Sequence, residues 1–312
     1  MALTSGQFLA NMQRETGDAP PDVILAREWM QHRYASALER FPWNFLRKEA
    51  TFNTTAAITA GTVTVTLGSA TVTETTSNAN GWSSAVETRY FRRDSDNEFY
   101  PIDTFTDANP DTLTLNRVYE QPTATASGYT IFQRFYALAS DVREVSSMCS
   151  INDLAGEMIE VSQEEMDRLL ANRPSEGQPR YWAMAGLNSS NVPRIEVYPI
   201  PDEAQGILYH YIQTTPDLAD GDTTIFPQVT YGLLRSGWLA DYWSWRAARS
   251  DAPPQSINMS AKMEAEYEKR LKEFTIRELG NVEPQRMRFE IRHTARRMRG
   301  KFSSPSPSVR MP

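Results

Sequence analysis

Four carboxylates, Glu157, Glu160, Glu164 and Glu165, fall close together in the chain. Paired acids could serve glycoside hydrolysis, which needs two of them facing one cleft at a fixed separation. A helix cap and a solvated helix face account for three of the four. Asp94, Asp96 and Glu98, in the run Arg92-Arg93-Asp94-Ser95-Asp96-Asn97-Glu98, have the alternation of a calcium loop. The glycine and the distal glutamate of such a loop are missing, so a charged hairpin tip is the favoured reading. The single cysteine, Cys149, sits in a strand-like run and reads as a small core residue before it reads as a nucleophile. His210 lies between Tyr209 and Tyr211 in an alternating strand, on the polar face. The chain has three histidines, His32, His210 and His293, too few for a multi-histidine metal centre, and one thiol cannot build a thiolate zinc site or an intramolecular disulfide. No phosphate loop, glycine-rich dinucleotide fingerprint, HExxH or G-x-S-x-G elbow occurs. The expectation is a protein without cofactor or metal.

Trp238, Tyr242, Trp243 and Trp245 could present a sugar or base platform. Helical spacing favours core packing instead: Leu234, Trp238, Tyr242 and Trp245 share one face. Trp243 falls off that stripe and is the candidate for contact with a neighbouring subunit.

Charge is unevenly spread. The chain of 312 residues carries a net charge of −7. Residues 286–312 hold eight basic residues against Glu290, a net of +7, which leaves −14 on residues 1–285. The acidic body should repel nucleic acid, and the tail should seek an acidic surface. Arg288, Arg292, Arg296 and Arg299 recur at i, i+4, i+8 and i+11. One helical face of arginine repels itself in isolation and makes more sense against acids on another chain. Phosphate contact and a solvated face are the other two readings. Aromatic interleaving is sparse, so base stacking is poorly supported.

Stepping from these residues to the elements that carry them, helical spacing places short helices over residues 3–15 and about 18–40. Pro42 ends the second. From Thr51 to about Phe135, Thr, Val, Gly and Ser dominate, with alternation at Val63, Val65 and Leu67 and again at Leu113 and Leu115. Short strands between glycine and Asn-Pro-Asp turns predict a small sandwich or barrel. Residues 142–214 predict further strands around a short helix opened by Ser162, with 194–198 pairing 207–212 as a hairpin. Helices follow over 228–249 and 256–279, the second with Met263, Tyr267, Leu271 and Phe274 inward. The fold class expected is α+β: N- and C-terminal helices closing as a four-helix bundle, an antiparallel β region, and an inserted small β-sandwich or barrel. No apolar run approaches the ~20 residues of a membrane span. The opening Met1-Ala2-Leu3-Thr4-Ser5-Gly6 does not read as a signal peptide.

Several runs then fall in a telling order. Trp43-Asn44-Phe45-Leu46-Arg47-Lys48-Glu49-Ala50 follows a helix and enters a strand. Gly177-Gln178-Pro179-Arg180-Tyr181-Trp182, Ile195-Glu196-Val197-Tyr198-Pro199-Ile200-Pro201-Asp202 and Tyr211-Ile212-Gln213-Thr214-Thr215-Pro216-Asp217-Leu218 come next, then Phe226-Pro227 before the aromatic helix. Over residues 20–56 and 142–279 this order resembles the head-to-tail adaptors of tailed bacteriophages, the head-completion or tail-tubular-protein-A-like family. Residues 57–141 are similar to a β module that recurs in phage structural proteins.

The resemblance implies a non-enzymatic virion protein at the head–tail junction, made in the host bacterial cytoplasm. It implies an adaptor body of residues 1–56 and 142–285, an inserted β domain at 57–141 and a basic arm at 286–312. It implies a ring of copies, usually a dodecamer, with the portal and a tail or nozzle protein as partners and no membrane. Genomic DNA would pass through the channel without sequence-specific binding. The docking arm would be Arg286, Arg288, Arg292, Arg296, Arg297, Arg299 and Lys301. Two further readings stay open: a carbohydrate-binding or glycosidase tail component using Trp82, Tyr90, Phe91 and Tyr100 as its platform, and a DNA-binding protein acting through the tail.

Overall fold

The computed structural model describes residues 3–17, 21–75, 81–172, 175–218, 223–250 and 252–299, and the side chains among them outside 153–155, 172 and 278–299. The chain divides into two compact units, Met1–Leu46 with Thr215–Pro312, and Arg47–Thr214. The class is α+β, with five α-helices among the described residues.

The first unit is helical. α1 (Ser5–Thr16) opens with a capping box: the Gln7 amide donates to Thr4 Oγ1, and the Thr4 amide donates to Gln7 Oε1. α2 (Val23–Glu39) buries Ala26, Met30, Tyr34, Ala37 and Leu38, one stripe at helical spacing. α3 (Gln163–Asn172) belongs to the second unit; α4 (Tyr231–Ala247) and α5 (Ser256–Arg299) complete the first. α4 buries Leu234, Trp238 and Tyr242, and α5 buries Met263, Tyr267, Leu271 and Phe274, as their spacing predicts. Each such side chain contributes about 1.5–3 kcal/mol on leaving water. Gly237 is the point of closest approach: a Cβ there would meet the Tyr267 ring at 2.8 Å and Arg33 Cδ at 3.0 Å. α2 packs against α4, and α4 against α5. α1 meets the start of α4 through the Phe8–Tyr231 ring pair and the Glu15–Arg235 ion pair. Helix α5 does not stop near 279 as expected but continues to Arg299. A single glycine such as Gly280 costs a helix only about 1 kcal/mol and does not forbid it.

The second unit is β-rich. Its strands, in order, are β1 (Arg47–Asn53), β2 (Val63–Val65), β3 (Thr71–Glu74), β4 (Tyr90–Arg93) and β5 (Tyr100–Thr106). Next come β6 (Thr112–Leu115), β7 (Ala124–Ser127), β8 (Tyr129–Phe132), β9 (Phe135–Ala137) and β10 (Val142–Ser150). β11 (Asp153–Glu157), β12 (Ile159–Glu160), β13 (Tyr181–Leu187), β14 (Pro193–Tyr198) and β15 (Gly206–Gln213) complete them. One sheet runs β7-β2-β3-β6-β5-β4-β8. Its two end strands are consecutive in the chain, separated by Gly128 alone, so the sheet rolls up and one broken strand supplies both edges. Gly128 sits where a Cβ would collide with the Asp94 carboxylate. The rolled sheet is filled by Val63, Val65, Val72, Phe91, Tyr100, Leu113, Tyr119, Tyr129 and Ile131. Leu67, expected to extend the second strand, lies beyond it in a turn and is 59% exposed.

Two four-stranded sheets, β1-β15-β10-β11 and β12-β13-β14-β9, share a core of Tyr136, Met148, Trp182, Ile195, Val197, Ile207, Tyr209 and Tyr211. The expected hairpin of 194–198 with 207–212 does not form. β14 pairs with β13 and β9, and β15 with β1 and β10. The connecting turn explains this. Pro199 and Pro201 have no N–H to give, and Ile200 is engaged elsewhere, accepting from Gly177 and donating to Ser175. A third cluster joins Phe132 of the rolled sheet to Met166 and Leu170 of α3, Ala183, Tyr198 and Ile200.

Candidate functional site

The sequence singles out the basic arm first. Arg286, Arg288, Arg292, Arg296, Arg297 and Arg299 fall in the last turns of α5, where side chains are outside the described residues, as are Lys301 and the rest of 300–312. The described part of α5 is different in kind. There Arg270 pairs with Glu266 at 2.6 Å and Arg40 of α2 with Glu268 at 3.1 Å. Those cations are answered within the unit.

Trp243, the candidate interface residue, is half-buried; its ring meets Tyr242 edge-on at 5.2 Å. The rest of the aromatic run is packed inward. Trp29 lies edge-on to both Trp238 and Trp245, and the Trp238 indole donates to the Ala26 carbonyl at 2.9 Å. Trp238 and Tyr242 therefore belong to the core and not to a ligand platform.

Between α2, α4 and α5 lies a group the sequence did not reveal. Arg33 donates through Nε and Nη2 to Asp241 at 2.8 and 2.7 Å, and through Nη1 and Nη2 to Glu264 at 2.9 and 2.7 Å. Its guanidinium lies 4.9 Å from the centre of the Tyr267 ring. Burial alone would pull its pKa down, but the bonds to Asp241 and Glu264 outweigh it and hold the group above its ordinary value. This clamp floors a groove of about 400 Å³ whose walls include Ser244, Ile257 and Ala261. No short-range signal marks it, because Asp241 and Glu264 lie 208 and 231 residues along the chain from Arg33.

The acidic candidates are dispersed. Asp96 takes Arg93 at 2.5 Å and the Tyr119 hydroxyl, Glu98 takes the Tyr100 hydroxyl and Gln121, and Asp94 takes the Thr130 hydroxyl. The Tyr100 hydroxyl holds the Glu98 carboxyl below its usual range. These three acids answer separate partners and share no centre. Ser162 caps α3, with the Glu165 amide donating to its Oγ at 3.2 Å. Glu165 itself turns to Arg168 and Glu160 is exposed. The acid that is buried in this region is Glu196, 1% exposed and held by Arg134 and Gln163. Among the described residues no group of three or more His, Cys, Asp and Glu side chains could hold a metal ion. Cys149 is half-buried and His210 exposed, both on β strands.

The aromatics considered for carbohydrate do not form a platform. Trp82, Phe91 and Tyr100 are buried in the rolled sheet's core, and the Trp82 indole donates to the Tyr129 hydroxyl at 2.9 Å. Tyr90 is half-buried against Phe132 and Phe135. No described helix is long and apolar enough to cross a membrane.

Ion pairs account for these acids and core packing for these aromatics. No curated protein matches the chain. The family profile described as SU10 adaptor protein matches residues 107–289, which is 183 of the 312 residues and runs from the end of β5 into the arm. More than half of the sequence, including every strand of the two four-stranded sheets except β1 and all of α3 and α4, is thus described by that family. The chain belongs to the SU10 adaptor family of phage head-to-tail adaptors, which are structural components of the virion.

Proposed function

We propose that this protein docks on the portal as a ring, continues the DNA channel and offers the platform to which the tail or nozzle protein attaches. Family membership over residues 107–289 is the observation that carries the reading. In this account 1–56 and 142–285 form the adaptor body, 57–141 an inserted β domain, and 286–312 the arm that reaches the portal. Helices α1, α2, α4 and α5 close as a four-helix bundle, and copies join into a dodecamer with Trp243 at their contact. The separate core of the rolled sheet supports treating 57–141 as a module.

Charge supports the assignment of roles. Arg286, Arg288, Arg292, Arg296, Arg297, Arg299 and Lys301 give the arm its positive charge, suited to an acidic portal surface. The remaining −14 favours a channel along which DNA slides without sticking, because contacts to phosphate would retard it. The chain is made in the host bacterial cytoplasm and ends at the head–tail junction, a structural part with no catalytic task.

The test is charge reversal of Arg288, Arg292, Arg296 and Arg299 to Glu. Binding to purified portal should be lost while circular dichroism of the body is unchanged. Portal binding at unchanged affinity would remove the arm from the account.

A further inference from the structure

The contact between the rolled sheet and the rest of the β unit has an apolar half and a polar half. In the apolar half, Phe132 of β8 packs with Met166, Leu170, Ala183, Tyr198 and Ile200. The polar half lies beside it. Arg92 of β4 stands opposite Thr130 of β8 in the strand register. Their neighbours Phe91, Tyr129 and Ile131 fill the rolled sheet, so Arg92 and Thr130 point out of it. Both are covered nonetheless, at 5% and 2% exposure. Glu176 reaches Thr130 from the other side of the contact, its backbone fixed by a bridge to Ile200.

Donors and acceptors in this polar half are mismatched. Nε and Nη1 of Arg92 are buried without a hydrogen-bond partner among the described residues. The Phe99 ring centre lies 5.7 Å from the guanidinium carbon, a π contact that accepts none of those protons directly. The Thr130 hydroxyl, meanwhile, lies 3.3 Å from Asp94 Oδ1 and 3.3 Å from Glu176 Oε1. A hydroxyl has one proton and serves one carboxylate at a time. Asp96, the third acid nearby, is taken by Arg93 and Tyr119. Burial pulls the Arg92 pKa below its ordinary value, and Asp94 and Glu176 are close enough to oppose that. A buried cation without acceptors beside a carboxylate without a donor destabilises the contact twice over. One side-chain rotation removes the mismatch. Glu176 is exposed, so its carboxylate has room to turn while its backbone stays on Ile200.

We propose that Glu176 is a two-position latch between the rolled sheet and the four-stranded sheets. On Thr130 the latch is open, as in this structure. On Arg92 it is closed, and Thr130 is left to Asp94. Closing replaces a shared hydroxyl with an ion pair across the contact and tightens the seat of the rolled sheet; opening gives that pair up and loosens it.

Melting of the full chain, followed by β-sheet circular dichroism, tests the latch through Arg92→Met in two backgrounds. In the wild-type chain Arg92 lacks an acceptor, so Arg92→Met should raise the midpoint by about 2–4 °C. In a Thr130→Val background Glu176 has lost its hydroxyl and turns to Arg92. There Arg92→Met should lower the midpoint by about as much, a change of sign that independent sites do not show. Adding Glu176→Ala to Thr130→Val should return the effect of Arg92→Met to a rise. Any other pattern of signs would overturn the latch, including a reversal that survives Glu176→Ala.

Discussion

The helical unit and the β unit are held by different means. In Met1–Leu46 with Thr215–Pro312, three helices converge on a single cation, Arg33, whose donors are taken up by Asp241 and Glu264. Stacked rings such as Trp43 on Phe274 at 4.3 Å fill the space around it. In Arg47–Thr214 a second cation, Arg134, does the same locally, donating to Glu196 of β14 and Asp167 of α3. What is particular to this unit is that tyrosine hydroxyls tie strands to loops: Tyr129 to the Ala60 carbonyl, Tyr136 to the Thr55 amide, Tyr209 to the Ala139 amide and Tyr211 to Asp141. A helix satisfies its own backbone and can stake its packing on one side-chain clamp. A rolled sheet with many short strands leaves loop backbone groups to be satisfied one at a time.

Alkali should separate the two units most widely. Burial pushes Tyr100, Tyr136 and Tyr211 up to about 12, and raises Tyr119, Tyr129 and Tyr209 as well. An unfolded tyrosine loses its proton near pH 10. Each raised group therefore favours the folded state fully below pH 10, and that contribution is lost as pH rises toward 12. In the helical unit the raised tyrosines are Tyr34, at about 12, with Tyr231 and Tyr267. Between pH 10 and 12, β-sheet circular dichroism should fall before helical ellipticity does. Simultaneous loss would remove the contrast.

Arg33→Met should cost about 3 kcal/mol, because it leaves Asp241 and Glu264 facing each other without their cation. Chemical denaturation would read this, and a loss below 1 kcal/mol would mean that the clamp does not organise the helices. Tyr129→Phe should cost less, about 2 kcal/mol, by leaving the buried Trp82 indole without its acceptor. Its tryptophan fluorescence should shift as Trp82 loses its acceptor. Thr4→Ala removes the α1 capping box and should cost about 1 kcal/mol or less, seen as faster amide exchange in the first turn of α1 alone.

What the sequence makes legible follows the same division. Met263, Tyr267, Leu271 and Phe274 face inward because helical side-chain direction repeats over a few residues and needs no distant information. Ser162 marks the start of α3 for the same local reason. Strand partners are a matter of the whole chain. The pairing of 194–198 with 207–212 looked natural from adjacency, yet the backbone of Ile200 was already committed to Ser175 and Gly177. The break that lets one stretch of chain supply both edges of the rolled sheet falls at Ala126, at positive φ, and Gly128, one glycine among 15, so nothing in the local sequence sets it apart. The Arg33 clamp was hidden by distance along the chain, since nothing near Arg33 announces Asp241 or Glu264. The adaptor family was legible from the order of several short runs, each weak by itself, and the family profile confirmed it over residues 107–289.

The central claim is that this chain joins a portal. Native mass measurement of the purified protein mixed with the portal of its phage tests it most directly. A complex in which many copies of the chain are bound to each portal, at the expense of free chain, is the expected result. Portal and chain remaining at their separate masses, at concentrations well above those in the infected cell, would contradict it.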